Sequence, residues 1–427
     1  MPVSVFRRVF VCSAKEPWIF QGIETMRIWI ARAVFVAVVG FAVSAMAADW
    51  PHFRGPNSNG ISPETGISKA WNDKKPETLW TAKMSDDGCA GPSIAGGKVF
   101  IIDHVAGKDF VRCFELATGK QVWEFPYDEA GASDNGFARS TPTVEDGVVY
   151  TVARSGQLFC LDVKDGKKIW GRNLIADFKG KLPQWKMAMS PVIDGDKLIV
   201  CPGGPGAGVA ALNKKTGETI WQGGGDDKIG YATPVIATIG GKKQYLVFTG
   251  VSIIGVDAAD GKVLWSHPWK TQYDVNAAAP ILVGDDSVYI TSGYGHGCAL
   301  MKVTGEKPEA VWENKEIQAH FSSSILIDGF IYGTGDPGNL VCLEAKTGKT
   351  VWRQGGFEKG GIIAVDGTLI GLDGKDGNVI MVEISSAAYK ELGRFKPLGG
   401  QSWTAAVVAD GKMLVRNKTA LACFNLK

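Results

Sequence analysis

The sequence predicts an all-β protein that folds as an eight-bladed β-propeller of four-stranded antiparallel blades. Three observations predict this fold: a tryptophan motif that recurs about every 45 residues, short apolar runs separated by glycine-containing turns, and no sustained helical periodicity. The composition agrees, because 55 of the 427 residues are glycine and 14 are tryptophan, whereas only 21% are charged. Together with 10% aromatic residues, these values exclude a disordered chain and a multi-span membrane protein.

The tryptophan motif is the strongest repeat signal. Seven stretches end in tryptophan at an equivalent position: KKPETLW (74–80), ATGKQVW (117–123), KDGKKIW (164–170), KTGETIW (215–221), ADGKVLW (259–265), EKPEAVW (306–312) and KTGKTVW (346–352). ELGRF, which ends at Phe395, is a degenerate eighth copy. Eight copies at a regular period predict one repeat array rather than separate domains. Because the tryptophan recurs in every blade, we expect it to pack between neighbouring blades rather than to bind a ligand.

Each repeat also contains three earlier apolar runs. The first two, as in TPTVEDGVVYTV (141–152), are joined by Asp-Gly, Gly-Gly or similar dipeptides, which adopt the positive φ angles of tight hairpins. A third run follows, as in QLFCLDVKDG (157–166), and the tryptophan run is the fourth. Four short strands in each repeat of about 45 residues are typical of a propeller blade.

The two ends of the repeat array predict how the ring closes. Trp80 carries the fourth-strand motif with no first three strands before it, while residues 403–427 supply three strands and no fourth. The strand near Trp80 is therefore expected to complete the last blade, so that no sheet edge stays open. Deleting residues 76–84 should then unfold the ring.

The N-terminal region has the pattern of an export signal. Residues 33–45 form a short apolar run after Arg27 and Arg32, and Ala45-Met46-Ala47 follows as an A-x-A cleavage site. We expect residues 1–47 to be a signal region with a conventional start at Met26, and the mature chain to be periplasmic or secreted without a transmembrane span. The alternative, an uncleaved anchor helix, needs a longer apolar run. No cysteine follows the run, so lipid attachment is not predicted.

The remaining domain boundaries follow from the repeat. Residues 48–75, which are rich in proline, are expected to form an extended arm, and residues 76–427 a single propeller. Four cysteines occupy one equivalent third-strand position in different blades and are expected to be small buried residues: Cys113, Cys160, Cys342 and Cys423. The sequence does not decide whether Cys89 and Cys298 form a disulfide.

The candidate site is the mouth of the central channel, where the loops that lead into the inner strands meet. These loops break the repeat at residues 87–89, 135–139, 184–187, 228–231, 273–276, 318–321, 358–360 and 401–403. Seven candidate binding residues lie in them: Arg139, Trp185, Lys186, Tyr231, Asn276, His320 and Trp403. Cations, amide donors and flat aromatic rings suit a planar anion.

Other interpretations of the mouth remain open. A polar rim that is merely hydrated is the simplest alternative. Asp274 and Asn276 are too few oxygen ligands for calcium, which takes six to eight, so no metal site is predicted. No nucleophile–base pair, phosphate-binding loop or haem motif is evident. The formal charge of +2 gives no electrostatic footprint for nucleic acid.

The TG-K-x-x-W and DG-K-x-x-W motifs, with C-L-D or C-L-E upstream, resemble the pyrroloquinoline-quinone (PQQ) repeat. That repeat builds the eight-bladed propellers of quinoprotein alcohol dehydrogenases and of the non-enzymatic BamB outer-membrane assembly factors. The resemblance covers residues 76–427, and WPHFRGPNSNGIS (50–62) resembles the lead-in of exported propellers of this kind. The chain has no adjacent Cys–Cys pair of the dehydrogenase type.

The resemblance implies two functions. The first is a binding or scaffold protein of the cell envelope, which takes a partner protein or a small anionic ligand at the mouth. The alternative is a PQQ-dependent oxidoreductase, with calcium as a second cofactor. In that alternative Arg139 and Lys186 would hold the quinone carboxylates, Trp185 or Trp403 would stack on its ring, and Asp274 is the only candidate base.

Overall fold

Eight four-stranded antiparallel blades form the propeller, as the sequence predicts. In the computed structural model the described residues are 48–85, 88–131 and 136–427. The predicted signal region and start codon fall on residues 1–47, outside this description. Strands are numbered along the chain, and each blade runs from its innermost to its outermost strand.

The first strands of the chain belong to the N-terminal region, and blades 1 to 4 follow them. The N-terminal strands are β1 (Ile61–Ser62) and β2 (Thr78–Lys83). Blades 1 and 2 contain β3 (Ser93–Ala95), β4 (Lys98–Val105), β5 (Lys108–Glu115) and β6 (Gln121–Asp128), then β7 (Thr143–Glu145), β8 (Val148–Val152), β9 (Gln157–Asp162) and β10 (Lys168–Asn173). Blades 3 and 4 contain β11 (Val192–Asp194), β12 (Lys197–Val200), β13 (Val209–Asn213) and β14 (Thr219–Gly223), then β15 (Val235–Ile239), β16 (Lys242–Phe248), β17 (Ser252–Asp257) and β18 (Val263–Pro268).

Blades 5 to 8 complete the ring. Blades 5 and 6 contain β19 (Ile281–Val283), β20 (Ser287–Ser292), β21 (Gly297–Lys302) and β22 (Glu309–Asn314), then β23 (Ile325–Ile327), β24 (Phe330–Gly335), β25 (Asn339–Glu344) and β26 (Thr350–Gly355). Blades 7 and 8 contain β27 (Ile362–Val365), β28 (Thr368–Leu372), β29 (Val379–Glu383) and β30 (Glu391–Phe395), then β31 (Val407–Ala409), β32 (Lys412–Arg416) and β33 (Ala420–Asn425). Helix is confined to α1 (Leu174–Phe178) and a 3-10 turn (Gln272–Asp274) within the described residues.

The repeat motif has a direct structural explanation at the joint between blades. Trp80 of blade 8 donates its indole N–H to the carbonyl of Leu116 in blade 1 over 2.8 Å. Its ring lies against Gly119, where an added Cβ would come within 2.5 Å of the indole. Gly119 also has a φ of +70°. Glycine is therefore required here for two reasons: the turn needs a positive φ, and the indole ring leaves no room for a Cβ. The same arrangement joins Trp123 to Gly166 in the next blade.

The ring closes through the N-terminal strand. Strand β2 pairs antiparallel with β33, so that Trp80 lies opposite Cys423 and Lys83 opposite Ala420. The last blade therefore takes three strands from the C-terminal end and one from the N-terminal end. This confirms the closure expected from the sequence, and it leaves no unpaired strand edge where the chain begins and ends its ring.

Of the expected arm (residues 48–75), residues 48–66 lie inside the channel against the inner edges of several blades, and we use the word arm for them from here on. Trp50 forms a β-bridge with Ile94 of blade 1, and the carbonyl of Pro51 accepts from Val144 of blade 2. Across the channel, β1 pairs parallel with β27 of blade 7. The arm thus adds backbone hydrogen bonds to strands whose inner edges would otherwise face the channel.

The arm also contacts the end of the channel opposite the mouth. The carboxylate of Asp49 accepts from the amide of Gly96, and that of Glu64 accepts from the amide of Asp410 over 2.7 Å. Gly96 and Asp410 lie in the turns after the inner strands, at the other end from the loops that form the mouth. The arm therefore forms the floor of the cavity, and we call the space between the mouth and the arm the cup.

The core consists of the apolar faces packed between blades. One buried cluster joins blades 7, 8 and 1 with Trp50, Ile67 and Trp71 from the N-terminal residues before β2. Cys113, Cys160, Cys342 and Cys423 are buried free thiols in different blades, as expected from the sequence. Cys298 is also a buried free thiol, so the open pairing with Cys89 is not formed. Neither described helix has the length and apolar character needed to cross a membrane.

Candidate functional site

A cavity of about 320 Å³ occupies the channel between the mouth and the arm. Its walls contain aromatic, cationic and small hydroxyl side chains. The lining includes Trp50, Phe53 and Arg54 of the arm, Arg139, Thr141, Trp185, Ser190, Tyr231, Thr233, Tyr294, His320, Phe321, Ser323, Lys359, Trp403 and Thr404. A cavity of this size and composition is of the kind that holds a small ligand.

Small hydroxyl residues below the mouth fix neighbouring blades to one another. The hydroxyl of Ser190 accepts from the amide of Thr141, and the hydroxyl of Thr233 accepts from the amide of Ser190. Ser323 accepts in the same way from Ala279. Each residue stands just before or at the start of an inner strand, so these bonds make a wall of fixed geometry around the cavity.

Five of the seven candidate residues predicted from the sequence line this cavity: Arg139, Trp185, Tyr231, His320 and Trp403. Lys186 and Asn276 are not among its lining residues. Lys186 has a φ of +66° and donates its amide to the carbonyl of Pro183.

Asn276 supports the site instead of lining it. Its side chain is fully buried, and its amide nitrogen donates to the carbonyls of Thr249 and Trp269. Its amide oxygen accepts from Ser292 over 2.7 Å, and its backbone carbonyl accepts from the amide of Tyr231. The buried amide is therefore engaged on both sides, and we assign Asn276 a positioning role beneath Tyr231.

Arg139, Trp185 and Tyr231 form one corner of the mouth. The guanidinium of Arg139 donates to the carbonyls of Trp185 and Gly136. The amide of Trp185 donates to the hydroxyl of Tyr231 over 3.2 Å. Burial raises the pKa of Tyr231, so this hydroxyl stays protonated at neutral pH. The contacts link blades 2, 3 and 4 and hold a cation beside two aromatic rings.

The aromatic side chains of the mouth continue as an unbroken series across five blades. We call this series the aromatic arc: Tyr231, Trp185, Tyr273, Tyr294, His320, Phe321 and Trp403. Successive ring centroids lie 4.5 to 6.4 Å apart, most of them tilted or edge-on to their neighbours. The Lys359 ammonium lies 5.9 Å from the centre of the Trp403 ring, so a cation borders the arc at its end.

The backbone under the arc is strained. Tyr273 and Tyr294 have φ angles of +63° and +58°, and Lys359 has a φ of +47°. Bulky residues rarely adopt this left-handed conformation, which costs about 1–3 kcal/mol per residue. Tyr273 and Tyr294 also stay 50% and 39% exposed. Strain and exposure therefore coincide at Tyr273 and Tyr294 of the arc.

His320 is the titratable group of the arc. Its Nε2 lies 2.7 Å from a carboxylate oxygen of Asp336, and its ring packs against Tyr294 and over Gly293. Burial is the main cause that lowers the pKa of His320, and it outweighs the opposing effect of Asp336, while Lys359 lowers it further. The imidazole is therefore neutral at neutral pH.

The depressed pKa of His320 predicts how its protonation affects stability. The unfolded chain takes up the histidine proton near pH 6.5, whereas the folded chain resists it until a lower pH, so acidification through this window favours unfolding. A His320→Gln variant should lose less free energy of unfolding than the wild type between about pH 7 and pH 5. Chemical denaturation at both pH values measures this difference, and an equal loss in both proteins would contradict it.

The cavity is cationic. Arg54, Arg139 and Lys359 line it, and none of the lining residues within the described ranges is Asp or Glu. Asp274, the candidate base, instead forms an ion pair with Lys228 over 2.8 Å and is not among the lining residues. The predicted loop residues Asp87 and Asn135 lie outside the described residues. The lining thus suits an anion better than a metal ion.

Several lining residues were not among the sequence candidates. Tyr294 belongs to the turn between the second and third strands of blade 5, which reaches the same face as the loops leading into the inner strands. Phe321 and Lys359 lie in two of the loops that break the repeat, 318–321 and 358–360. Arg54 comes from the arm, and the signal for it is the Trp50–Gly60 segment, whose tryptophan, arginine and glycines the repeat does not explain.

The family follows from the repeat region. Residues 107–354 match the family model described as outer membrane protein assembly factor BamB. The chain belongs to this family. It is 25% identical over 255 residues to the BamB of Burkholderia pseudomallei, a match that covers 58% of this chain and 60% of that protein.

Quinoproteins are also among its relatives. The chain is 30% identical over 149 residues to the quinoprotein ethanol dehydrogenase of Pseudomonas aeruginosa, which covers 30% of this chain and 23% of that protein. The crystal structure of BamB from Moraxella catarrhalis superimposes with a TM-score of 0.58 at 17% identity, over 82% of this chain and 98% of that one. This likeness shows the fold alone. The chain spans at most about 60% of the length of these curated relatives.

Proposed function

We propose that this chain is an exported, non-enzymatic binding protein of the cell envelope, which holds a planar anionic ligand or the matching group of an envelope partner in its channel mouth. The observation that carries the proposal is the cavity itself, where an aromatic arc and three cations face a space without a carboxylate among its described lining residues. Flat rings and guanidinium groups are the side chains that bind planar anions.

An envelope location is part of the proposal. The relative from Burkholderia pseudomallei is named as an outer membrane protein assembly factor, and the sequence of residues 33–47 has the pattern of an export signal. A propeller mouth with exposed tyrosines and bordering cations also resembles the composition of protein interfaces, which are enriched in aromatic residues and arginine. An envelope protein that inserts an acidic or aromatic group is therefore the partner we propose.

The second candidate function is a PQQ-dependent oxidoreductase, which the similarity to quinoprotein dehydrogenases favours. The arc fits the flat quinone, since Trp185 and Trp403 offer rings and Arg139 a cation for its carboxylates. Calcium does not fit, because it takes six to eight oxygen ligands and the described lining has no carboxylate. No group of three or more His, Cys, Asp or Glu side chains in the described ranges could hold a metal. We therefore place PQQ with calcium second.

Titration of the purified chain with PQQ tests the proposal. We expect saturable quenching of tryptophan fluorescence that is the same in EDTA and in calcium, and no reduction of an acceptor dye when alcohols are added. An Arg139→Ala variant should bind PQQ about tenfold or more weakly, because a charge-assisted contact contributes about 1.5–3 kcal/mol. Arg394→Ala is the matched control, since Arg394 pairs with Glu391 on the surface.

The outcomes separate the two functions. Quenching that requires calcium, together with alcohol-dependent dye reduction, would replace the binding function by the oxidoreductase. If Arg139→Ala binds PQQ with unchanged affinity, the ligand does not bind at the mouth. If micromolar PQQ causes no quenching, PQQ is excluded as the ligand under both functions.

A further inference from the structure

Arg54 of the arm is a cation in an unusual setting at the floor of the cavity. Its Nε donates to the carbonyl of Ser58 over 3.1 Å, and its Nη2 donates to the carbonyls of Asn59 and Ser324 over 2.9 and 2.7 Å. All three acceptors are neutral backbone groups. Within the described part of the chain no carboxylate pairs with Arg54, and its Nη1 makes no hydrogen bond.

The protein environment disfavours an uncompensated charge at this position. Burial lowers the pKa of Arg54 to about 10, which still leaves the guanidinium charged at neutral pH. The side chain is only partly buried, and a partly desolvated cation whose protein partners are all neutral gains from an anion placed beside it. The side chain lines the cavity, so an anionic group in that cavity would lie beside it.

The local backbone holds Arg54 in place at a conformational cost. Arg54 has a φ of +67°, in the left-handed region that non-glycine residues rarely adopt. Gly55 follows with a φ of +77° and lies directly on the Trp50 ring, where an added Cβ would come within 2.9 Å. The carbonyl of Arg54 accepts from the amide of Gly60 over 2.8 Å and closes the loop.

We propose that Arg54 anchors the carboxylate of a planar aromatic ligand at the floor of the cup, through the Nη1 donors that the protein leaves unused. The flat part of the ligand then lies toward the aromatic arc at the mouth. This inference rests on the proposed function, because it assigns the orientation of a ligand in the same cavity. It adds a residue that the propeller repeat does not supply, because the arm brings Arg54 into the channel.

A pair of probes tests the anchor directly: 2-naphthoate and its neutral isostere 2-naphthamide. The wild-type chain should prefer the naphthoate by about tenfold to a hundredfold in dissociation constant, as measured by calorimetry. Arg54→Met should remove this preference by weakening the naphthoate while the naphthamide binds as before. Arg394→Met, on the surface, should keep the preference.

The outcomes are separable from those of the proposed function. A folded Arg54→Met variant that keeps the naphthoate preference would overturn the anchor, and so would a wild-type chain without that preference. If Arg54→Met does not fold, Arg54→Lys serves, because it keeps the charge but has no Nη1, and we expect it to bind naphthoate more weakly than the wild type. Unchanged binding in Arg54→Lys would overturn the anchor as well. A wild-type chain that binds neither PQQ nor 2-naphthoate would instead contradict the proposed function.

Discussion

Deletion of residues 76–84 is expected to abolish the cooperative unfolding transition of the propeller. The deletion removes all of β2, so β33 loses its partner and the last blade has three strands. It also removes Trp80, whose ring packs in the joint between blades 8 and 1. Truncating a buried tryptophan alone costs about 3–5 kcal/mol, a large part of the free energy of unfolding of an ordinary domain. Thermal unfolding followed by circular dichroism measures the result.

A length-matched control separates strand loss from displacement of the arm. Replacing Thr78–Lys83 with glycine and serine keeps the tether to the arm but removes the strand-forming and apolar side chains. We expect this variant to lose stability nearly as severely as the deletion. A deletion protein that melts at the wild-type temperature would show that β2 is dispensable and would contradict the closure.

The second large effect is expected at the glycine that receives Trp80. Gly119→Ala should lower the free energy of unfolding by about 2–5 kcal/mol. The left-handed φ of +70° costs an alanine about 1–2 kcal/mol, and the new Cβ would lie 2.5 Å from the indole, which adds about 1–3 kcal/mol of overpacking. Chemical denaturation of the variant and the wild type gives the difference.

Gly147 provides the matched control for this substitution. It has a φ of +77° in a hairpin turn, but nothing lies within 4 Å of an added Cβ. Gly147→Ala therefore carries the backbone strain without the clash and should cost about 1–2 kcal/mol. Equal losses in the two variants would mean that the contact between Gly119 and Trp80 contributes nothing beyond the turn.

The fold was predictable because the same sequence pattern recurs in every blade. The apolar runs and their glycine-containing turns recur in all eight repeats, and the motif that ends in tryptophan recurs in seven of them, so that one irregular copy does not hide the pattern. The arm was predicted only as an extended segment. Its position in the channel depends on long-range contacts, such as Trp50 with Ile94 and Ile61 with Ala364, which leave no periodic signal in the sequence.

The candidate site was predictable in position but not in every side chain. Spacing from an inner strand identifies the loop that reaches the mouth, and five of the seven candidates do line the cavity. Spacing does not show which way a side chain points, and for this reason Asn276, whose amide is fully engaged in the interior, was a candidate. Arg54 was missed because it comes to the cavity from outside the repeat.

We propose that one ligand occupies the cup between the mouth and the arm, held by aromatic rings and cations without a metal. Calorimetric titration of the full chain with PQQ in EDTA, followed by competition with 2-naphthoate, tests it most directly. We predict one PQQ bound per chain and displacement of PQQ by the naphthoate. Binding that appears only after calcium is added, or naphthoate that binds without displacing PQQ, would contradict the claim.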